Sequence, residues 1–104
     1  MKILIDADGC PVVDLTLQAA AEHGLEAILF CDTSHEFKEK NARVVTVDKG
    51  SDSADFALIR QVKPGDIVVT QDYGLAAMVL AKRGYPITQN GKRLTDANID
   101  TLLL

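Results

Sequence analysis

Residues 3–11 read ILIDADGCP, and this stretch decides the fold class. The aliphatic run predicts a buried strand over residues 2–6, which ends on Asp6 and is followed closely by Asp8. Pro11 stands where a helix can begin, because the first turn of a helix tolerates a residue without a backbone N–H. A buried strand, a short acidic loop and a helix together open a β-α-β unit.

The same alternation of short apolar runs and helical patterns continues along the chain. Further strands are predicted over residues 26–31, 43–48, 66–71 and 86–88, and helices over 12–23, 52–62, 74–83 and from Thr95 onward. This order predicts an α/β fold, a three-layer sandwich in which helices cover both faces of a mainly parallel sheet of four or five strands. The fourth strand is the most apolar and β-branched, so we expect it at the centre of the sheet. We also expect Phe56 on the inner side of its helix.

Length and composition fit one domain over residues 1–104. The chain has 104 residues, of which 47% are hydrophobic, and this content predicts a buried core and excludes disorder. Its apolar runs are far shorter than the roughly 20 residues that span a bilayer, so no membrane association is expected. No secretory leader opens the chain, and two cysteines make no disulfide framework. We therefore expect a cytoplasmic protein.

Aspartates follow the predicted strands. The chain carries 15 acidic residues against 11 basic ones, and most of the acids are Asp. Asp residues stand at the ends of the first four strands, at positions 6 and 8, 32, 48 and 72. Because parallel strands joined by right-handed crossovers end at one edge of the sheet, these carboxylates are expected to meet there. Asp52 and Asp55 open the next helix three residues apart and share one of its faces.

Clustered carboxylates repel one another unless they are protonated or neutralised by a cation. Oxygen donors suit hard cations, so the edge predicts a site for Mg²⁺ or Mn²⁺, with ligands Asp6, Asp8, Asp52, Asp55 and Asp72. A pair of such ions supports phosphodiester hydrolysis.

Each acid also has a simpler interpretation. Asp52 could cap its helix and Asp55 could complement the helix dipole, while Asp32 and Asp48 could be turn residues. Asp6 is harder to explain in this way, because a carboxylate at the end of a buried strand needs a strong partner.

Candidate substrate-binding residues flank the same edge. Ser34 and His35 follow the second strand, and His35 could bind a phosphate, relay a proton or be a loop histidine without a role. Lys92 and Arg93 come just after the Asn90-Gly91 turn and could reach a phosphate. Free cysteines such as Cys10 and Cys31 are more often small buried hydrophobes than nucleophiles.

Three blocks of the sequence resemble a known family. Asp6 to Pro11 (DADGCP) is similar to the DADACP signature of the YaiI/YqxD family, and residues 50–59 (GSDSADFALI) and 65–77 (GDIVVTQDYGLAA) resemble its next two blocks. Gly9 replaces the usual Ala, and Asn90 stands where family members tend to have Arg. The family is PIN-like, which implies a small α/β metal-dependent ribonuclease. It also implies further helical sequence beyond residue 104, a C-terminal tail that this chain would lack.

By position, the resemblance assigns the catalytic acids to Asp6, Asp55 (or Asp52) and Asp72, with Asp8 as an added acid. We therefore expect a Mg²⁺- or Mn²⁺-dependent nuclease that hydrolyses phosphodiesters of single-stranded RNA rather than DNA. The first alternative is a non-catalytic PIN-like module that binds RNA or a protein. The second is a haloacid-dehalogenase phosphatase, whose DxDGT opening differs from this chain at Cys10. A phospho-receiver domain lacks a convincing Lys after the last strand.

Overall fold

The computed structural model describes residues 1–8, 10–32, 42–47 and 54–103. The strands are β1 (Lys2–Asp6), β2 (Glu26–Asp32), β3 (Arg43–Val47), β4 (Ile67–Val69) and β5 (Tyr85–Ile87). The helices are α1 (Val13–Glu22), α2 (Ala54–Gln61), α3 (Tyr73–Ala81) and α4 (Asp96–Leu103). Every predicted element that falls on described residues is present, with ends shifted by one or two residues.

The five strands form one parallel sheet in the order β3-β2-β1-β4-β5. β1 lies at its centre, so the prediction that the fourth strand is central was wrong. The order depends on the direction of the crossovers: the chain moves outward from β1 to β2 and β3, and α2 then returns it to the other side of β1. Strand composition does not reveal where the chain crosses to the other side of β1. Both β1 and β4 have a strand on either side, so both are apolar whichever of them is central.

Helices cover both faces of the sheet. On one face Leu4, Phe30 and Val68 pack against Leu58 of α2 and against Leu75 of α3. On the other face the alternate strand residues pack against α1, and α4 lies outside α3. This arrangement confirms the predicted fold class, an α/β three-layer sandwich with a parallel sheet of five strands.

One local prediction needs correction. Phe56 is exposed, because Ala57 and Leu58 take the sheet-facing side of α2. Just after α3, Arg83 has a positive φ of 64°. Gly84 follows it and is required by packing: a Cβ there would lie 2.7 Å from a methyl carbon of Val79. Among the described residues, no helix has both the length and the apolar character needed to cross a bilayer.

Candidate active site at the carboxyl edge of the sheet

The connections that leave β1 and β4 diverge to opposite faces of the sheet. β1 continues into α1 on one face, and β4 continues into α3 on the other. A parallel sheet opens a crevice at such a reversal, outside the carboxyl ends of the two strands. Asp6 and Thr70 are the residues that border this crevice, because Ile5 pairs in register with Val69 and each of them is the next residue.

Thr70 joins two of the predicted acids. Its Oγ1 donates a hydrogen bond of 2.9 Å to Oδ2 of Asp6 and accepts one of 3.0 Å from the backbone N–H of Asp72. The Asp72 side chain in turn caps α3, where Oδ1 accepts a hydrogen bond of 3.1 Å from the N–H of Leu75. Asp72 therefore has a structural role as a helix cap in addition to any chemistry.

Two further carboxylates complete the edge. Oδ2 of Asp8 accepts a hydrogen bond of 3.0 Å from the backbone N–H of Asp32 and so links the loop after β1 to the end of β2. Asp55 lies in the first turn of α2, and its Oδ1 accepts from the N–H of Phe56. Since α2 and α3 both begin at this edge, their positive ends lie beside the acids.

The acids act on one another electrostatically. Burial raises the pKa of Asp6 above its ordinary value of 3.8, and the negative charges of Asp8, Asp72 and Asp55 raise this pKa further. The hydrogen bond from Thr70 opposes the rise but does not cancel it. Asp6 is thus a half-buried carboxylate whose ionisation is disfavoured by the charges of three other acids.

The acids Asp6 and Asp8 line a small cleft of about 60 Å³. Its remaining walls come from both sides of the reversal and are Cys10, Val69, Thr70, Gln71 and Gln89. The volume is that of about two water molecules in the liquid, at about 30 Å³ each, so the cleft itself can hold an ion with few of its waters.

The donor set fits a hard divalent cation, because every candidate ligand offers carboxylate oxygens. In the part of the chain that the structure describes, no three His, Cys, Asp or Glu side chains are grouped closely enough to hold a metal ion by themselves. This combination is compatible with Mg²⁺ chemistry, since Mg²⁺ commonly uses one or two protein carboxylates and completes its coordination with water and substrate phosphate.

Several predicted residues lie outside the described parts of the chain, namely Ser34, His35, Asp48 and Asp52. Lys92 and Arg93 are described, and both are exposed. The guanidinium of Arg93 lies 4.8 Å from the centroid of the Tyr85 ring. Tyr85 begins β5, so this contact directs Arg93 toward the amino edge of the sheet rather than toward the acids.

Three hydrogen-bonding residues of the cleft, Thr70, Gln71 and Gln89, were not selected from the sequence as site residues. Thr70 is buried at the end of β4, and Gln71 accepts a hydrogen bond of 2.6 Å at its side-chain oxygen from the backbone N–H of Gln89. A buried Thr two residues before Asp72 was an available signal for Thr70. The Gln71–Gln89 contact depends on the pairing of β4 with β5, which no local pattern reveals.

Sequence relatives match almost the whole chain. A UPF0178 protein of Exiguobacterium sibiricum is 55% identical over 103 residues, which are 99% of this chain and 70% of that protein. A UPF0178 protein of Alkaliphilus oremlandii is 50% identical over 104 residues, which are 100% of this chain and 67% of that protein.

Among solved structures, the chain is similar to a mutant of Rae1 (YacP) from Bacillus subtilis, with a TM-score of 0.61 and 15% sequence identity. The match covers 99% of this chain and 77% of that one, and at this identity it shows a shared fold. Residues 4–104 match the sequence profile of a family described as uncharacterised BCR, YaiI/YqxD family. The chain therefore belongs to the YaiI/YqxD family.

Proposed function

We propose that this protein is a Mg²⁺- or Mn²⁺-dependent nuclease that hydrolyses phosphodiesters of single-stranded RNA. The observation that carries the proposal is the arrangement around Asp6, which lies with Asp8 in one cleft and is joined to Asp72 through Thr70. Burial and the charges of Asp8, Asp72 and Asp55 raise the pKa of Asp6, so the ionised cluster is electrostatically unfavourable despite its local hydrogen bonds. A divalent cation would offset the repulsion between these carboxylates, so cation binding is the role that we assign to the cluster.

Asp6 and Asp72 would be the chief ligands, with Asp55 and Asp8 supporting the site. Bound Mg²⁺ or Mn²⁺ supplies Lewis-acid stabilisation of the phosphoryl oxygens and lowers the pKa of water for in-line attack. Thr70 is a positioning residue, since its hydroxyl orients the Asp6 carboxylate and holds the Asp72 backbone at the same time. The positive ends of α2 and α3 beside the acids favour the negatively charged phosphate of the substrate.

The substrate would be held at the rim of the cleft. Lys92 is exposed and could bind a flanking phosphate, which would make the affinity salt-dependent. Gln71 and Gln89 present amide groups at the cleft wall, and amides can bond either to a base edge or to a ribose 2′-hydroxyl. With aromatic residues at 5% of the chain and a net charge of −4, extended base stacking is not expected to contribute much affinity.

The test is cleavage of a panel of single-stranded RNA oligonucleotides with Mn²⁺, compared between the wild type and Asp72→Asn. Asparagine can still cap α3, so this variant removes the ligand charge and keeps the helix end. We expect it to lower the cleavage rate by about 100-fold or more. Asp96→Asn is the matched control, because Asp96 is an exposed aspartate in the first turn of another helix, α4.

Equal cleavage by the wild type and Asp72→Asn would point to a contaminating nuclease and reject the proposal. Cleavage by neither protein, with RNA still bound, would favour the alternative of a non-catalytic RNA-binding module. Binding without cleavage is a specific expectation of that alternative, since the cleft and its rim would be retained.

A further inference from the structure

The face of the sheet that carries α1 is only partly covered. α1 packs over the β1–β2 side, and beside it a groove of about 510 Å³ runs over the surface of β4 and β5. We call this the β4–β5 groove; its apolar lining includes Leu15, Ile67, Val69 and Ile87. A second depression adjoins it through Ile67 and Ile87; its other lining residues are Met1, Tyr85 and Arg93.

Three of the exposed large apolar side chains of the described residues lie along this strip. Leu15 is 65% exposed, Met1 72% and Tyr85 43%. Phe56 and Met78, at 54% and 38%, lie on α2 and α3 and therefore on the opposite face. Contiguous exposed apolar surface marks an interaction site more often than isolated apolar residues do.

The residues that line the groove indicate which kind of ligand could bind there. The lining of the β4–β5 groove, as far as the chain is described, contains no lysine, arginine, phenylalanine, tyrosine or tryptophan, and His23 is its one ring side chain. A nucleic acid strand would therefore meet little positive charge and little stacking surface there, whereas the aliphatic lining favours an apolar occupant. The outer side of β5 is already paired, because Ile87 forms an antiparallel bridge with Arg93. An added strand is thus excluded at this position, and apolar side chains projecting from a helix fit best.

We propose that the β4–β5 groove binds the apolar face of an amphipathic helix, and that the occupant is the segment that the longer relatives carry outside the matched region. In the Exiguobacterium sibiricum protein the match covers 70% of the length, which leaves about 44 residues for that segment. Such a length is enough for a helix of several turns, at 3.6 residues per turn.

The docked helix would also border the acidic cleft. The groove and the cleft share Val69 and Gln89 as wall residues. A helix seated over Ile87 would therefore support the Gln89 wall from the side opposite the acids. The docking does not rest on the proposed nuclease activity, because none of the candidate metal ligands lines the groove.

The experiment uses the full chain and a labelled synthetic peptide that copies the unmatched segment of the Exiguobacterium sibiricum protein. Fluorescence anisotropy should show saturable binding, and saturating peptide should raise the melting temperature of the chain. Leu15→Glu places a charge in the groove at an exposed position and should weaken binding at least tenfold without unfolding the protein. Phe56→Glu makes the same kind of change on the opposite face and should leave binding unchanged.

Hydrogen exchange locates the contact: the bound peptide should slow exchange of the β5 amides. Absence of saturable binding, or equal weakening by the two variants, would overturn the proposal. A dimer that forms with the wild type and is lost in Leu15→Glu would identify a second copy as the occupant instead. An RNA oligonucleotide whose binding is lost in Leu15→Glu would assign the groove to nucleic acid and equally reject the helix.

Discussion

The two ends of the β1–β4 pair each hold an aspartate, and they shift its pKa in opposite directions. At the amino end, Asp66 is buried and forms an ion pair of 2.6 Å with Nζ of Lys2. Burial by itself would raise its pKa, but hydrogen bonds from the Lys2 side chain and from the Lys63 and Lys2 backbones, with the charge of Lys2, hold that pKa below 3.8. At the carboxyl end, burial and like charges raise the pKa of Asp6 instead.

The opposite pKa shifts indicate that Asp66 stabilises the fold, whereas the acids around Asp6 are suited to a function. The amino end satisfies its charge: Asp66 accepts hydrogen bonds from the Lys63 N–H, the Lys2 N–H and the Lys2 ammonium. At the carboxyl end the carboxylates repel one another, and within the described part of the chain Thr70 donates the side-chain hydrogen bond that Asp6 accepts. Natural sequences keep such locally unfavourable arrangements chiefly at functional sites.

The largest effect on stability is expected when the Lys2–Asp66 ion pair at the amino end is removed. Asp66→Asn leaves the Lys2 ammonium in a mostly buried position without its counter-charge, and should lower the free energy of unfolding by about 3 kcal/mol. Urea denaturation at pH 7 measures the change. Because the folded pKa of Asp66 is lowered, its contribution is present above pH 3.8 and is lost as the pH falls through the folded value. The difference between wild type and variant should therefore shrink in acid.

At the carboxyl end, a bound divalent cation should stabilise the folded protein by neutralising the acids. Mn²⁺ that binds only the folded protein stabilises it by about 2.7 kcal/mol at a free concentration 100-fold above its dissociation constant. Thermal denaturation with increasing MnCl₂ measures this gain. Asp6→Asn should abolish most of it, whereas Asp66→Asn, although less stable, should keep the full increment. If the increment survived in Asp6→Asn, the carboxyl edge would not be the binding site.

A smaller effect of opposite sign is expected for Asp6→Asn in the absence of divalent cations. The raised pKa means that the ionised form of Asp6 destabilises the fold, so stability is lost as the pH rises through the folded value. Asparagine can still accept the Thr70 hydrogen bond and carries no charge. With a chelator present, the variant should melt above the wild type at pH 7, and the difference should vanish below pH 3.8. A variant less stable than the wild type at pH 7 would contradict this account.

Features of these two ends that depend on residues close together in the sequence could be predicted, and features that depend on distant residues could not. The acidic edge was predictable because each Asp directly follows an apolar strand, and parallel strands end together. The bridging role of Thr70 was not, since it requires the register that sets Val69 beside Ile5. The Lys2–Asp66 pair is separated by 64 residues and depends on the same register. The central position of β1 was missed for a related reason, because crossover direction is decided by packing of the whole sheet.

The smallest effect is expected from the cysteines, and it separates carboxylate chemistry from thiol chemistry at the carboxyl edge. Cys31 is buried between strand neighbours, and burial raises its pKa despite the contact with the Thr46 hydroxyl. Cys10 is only half-buried and lines the acidic cleft beside Asp6 and Asp8, so it is the thiol that could take part. Its neighbours there are anionic, and a thiolate nucleophile needs a cationic partner or base instead.

Cys10→Ser should therefore keep RNA cleavage within about twofold of the wild type and change the free energy of unfolding by about 0.5 kcal/mol or less, as expected for a near-isosteric change at a half-buried position. The rate is measured with the same oligonucleotides and Mn²⁺ concentration used for Asp72→Asn. A loss comparable to that of Asp72→Asn would assign the chemistry to the thiol. Serine also retains a weak hydrogen-bond donor, so a loss seen in Cys10→Ala but not in Cys10→Ser would indicate a positioning contact with the acids rather than a nucleophile.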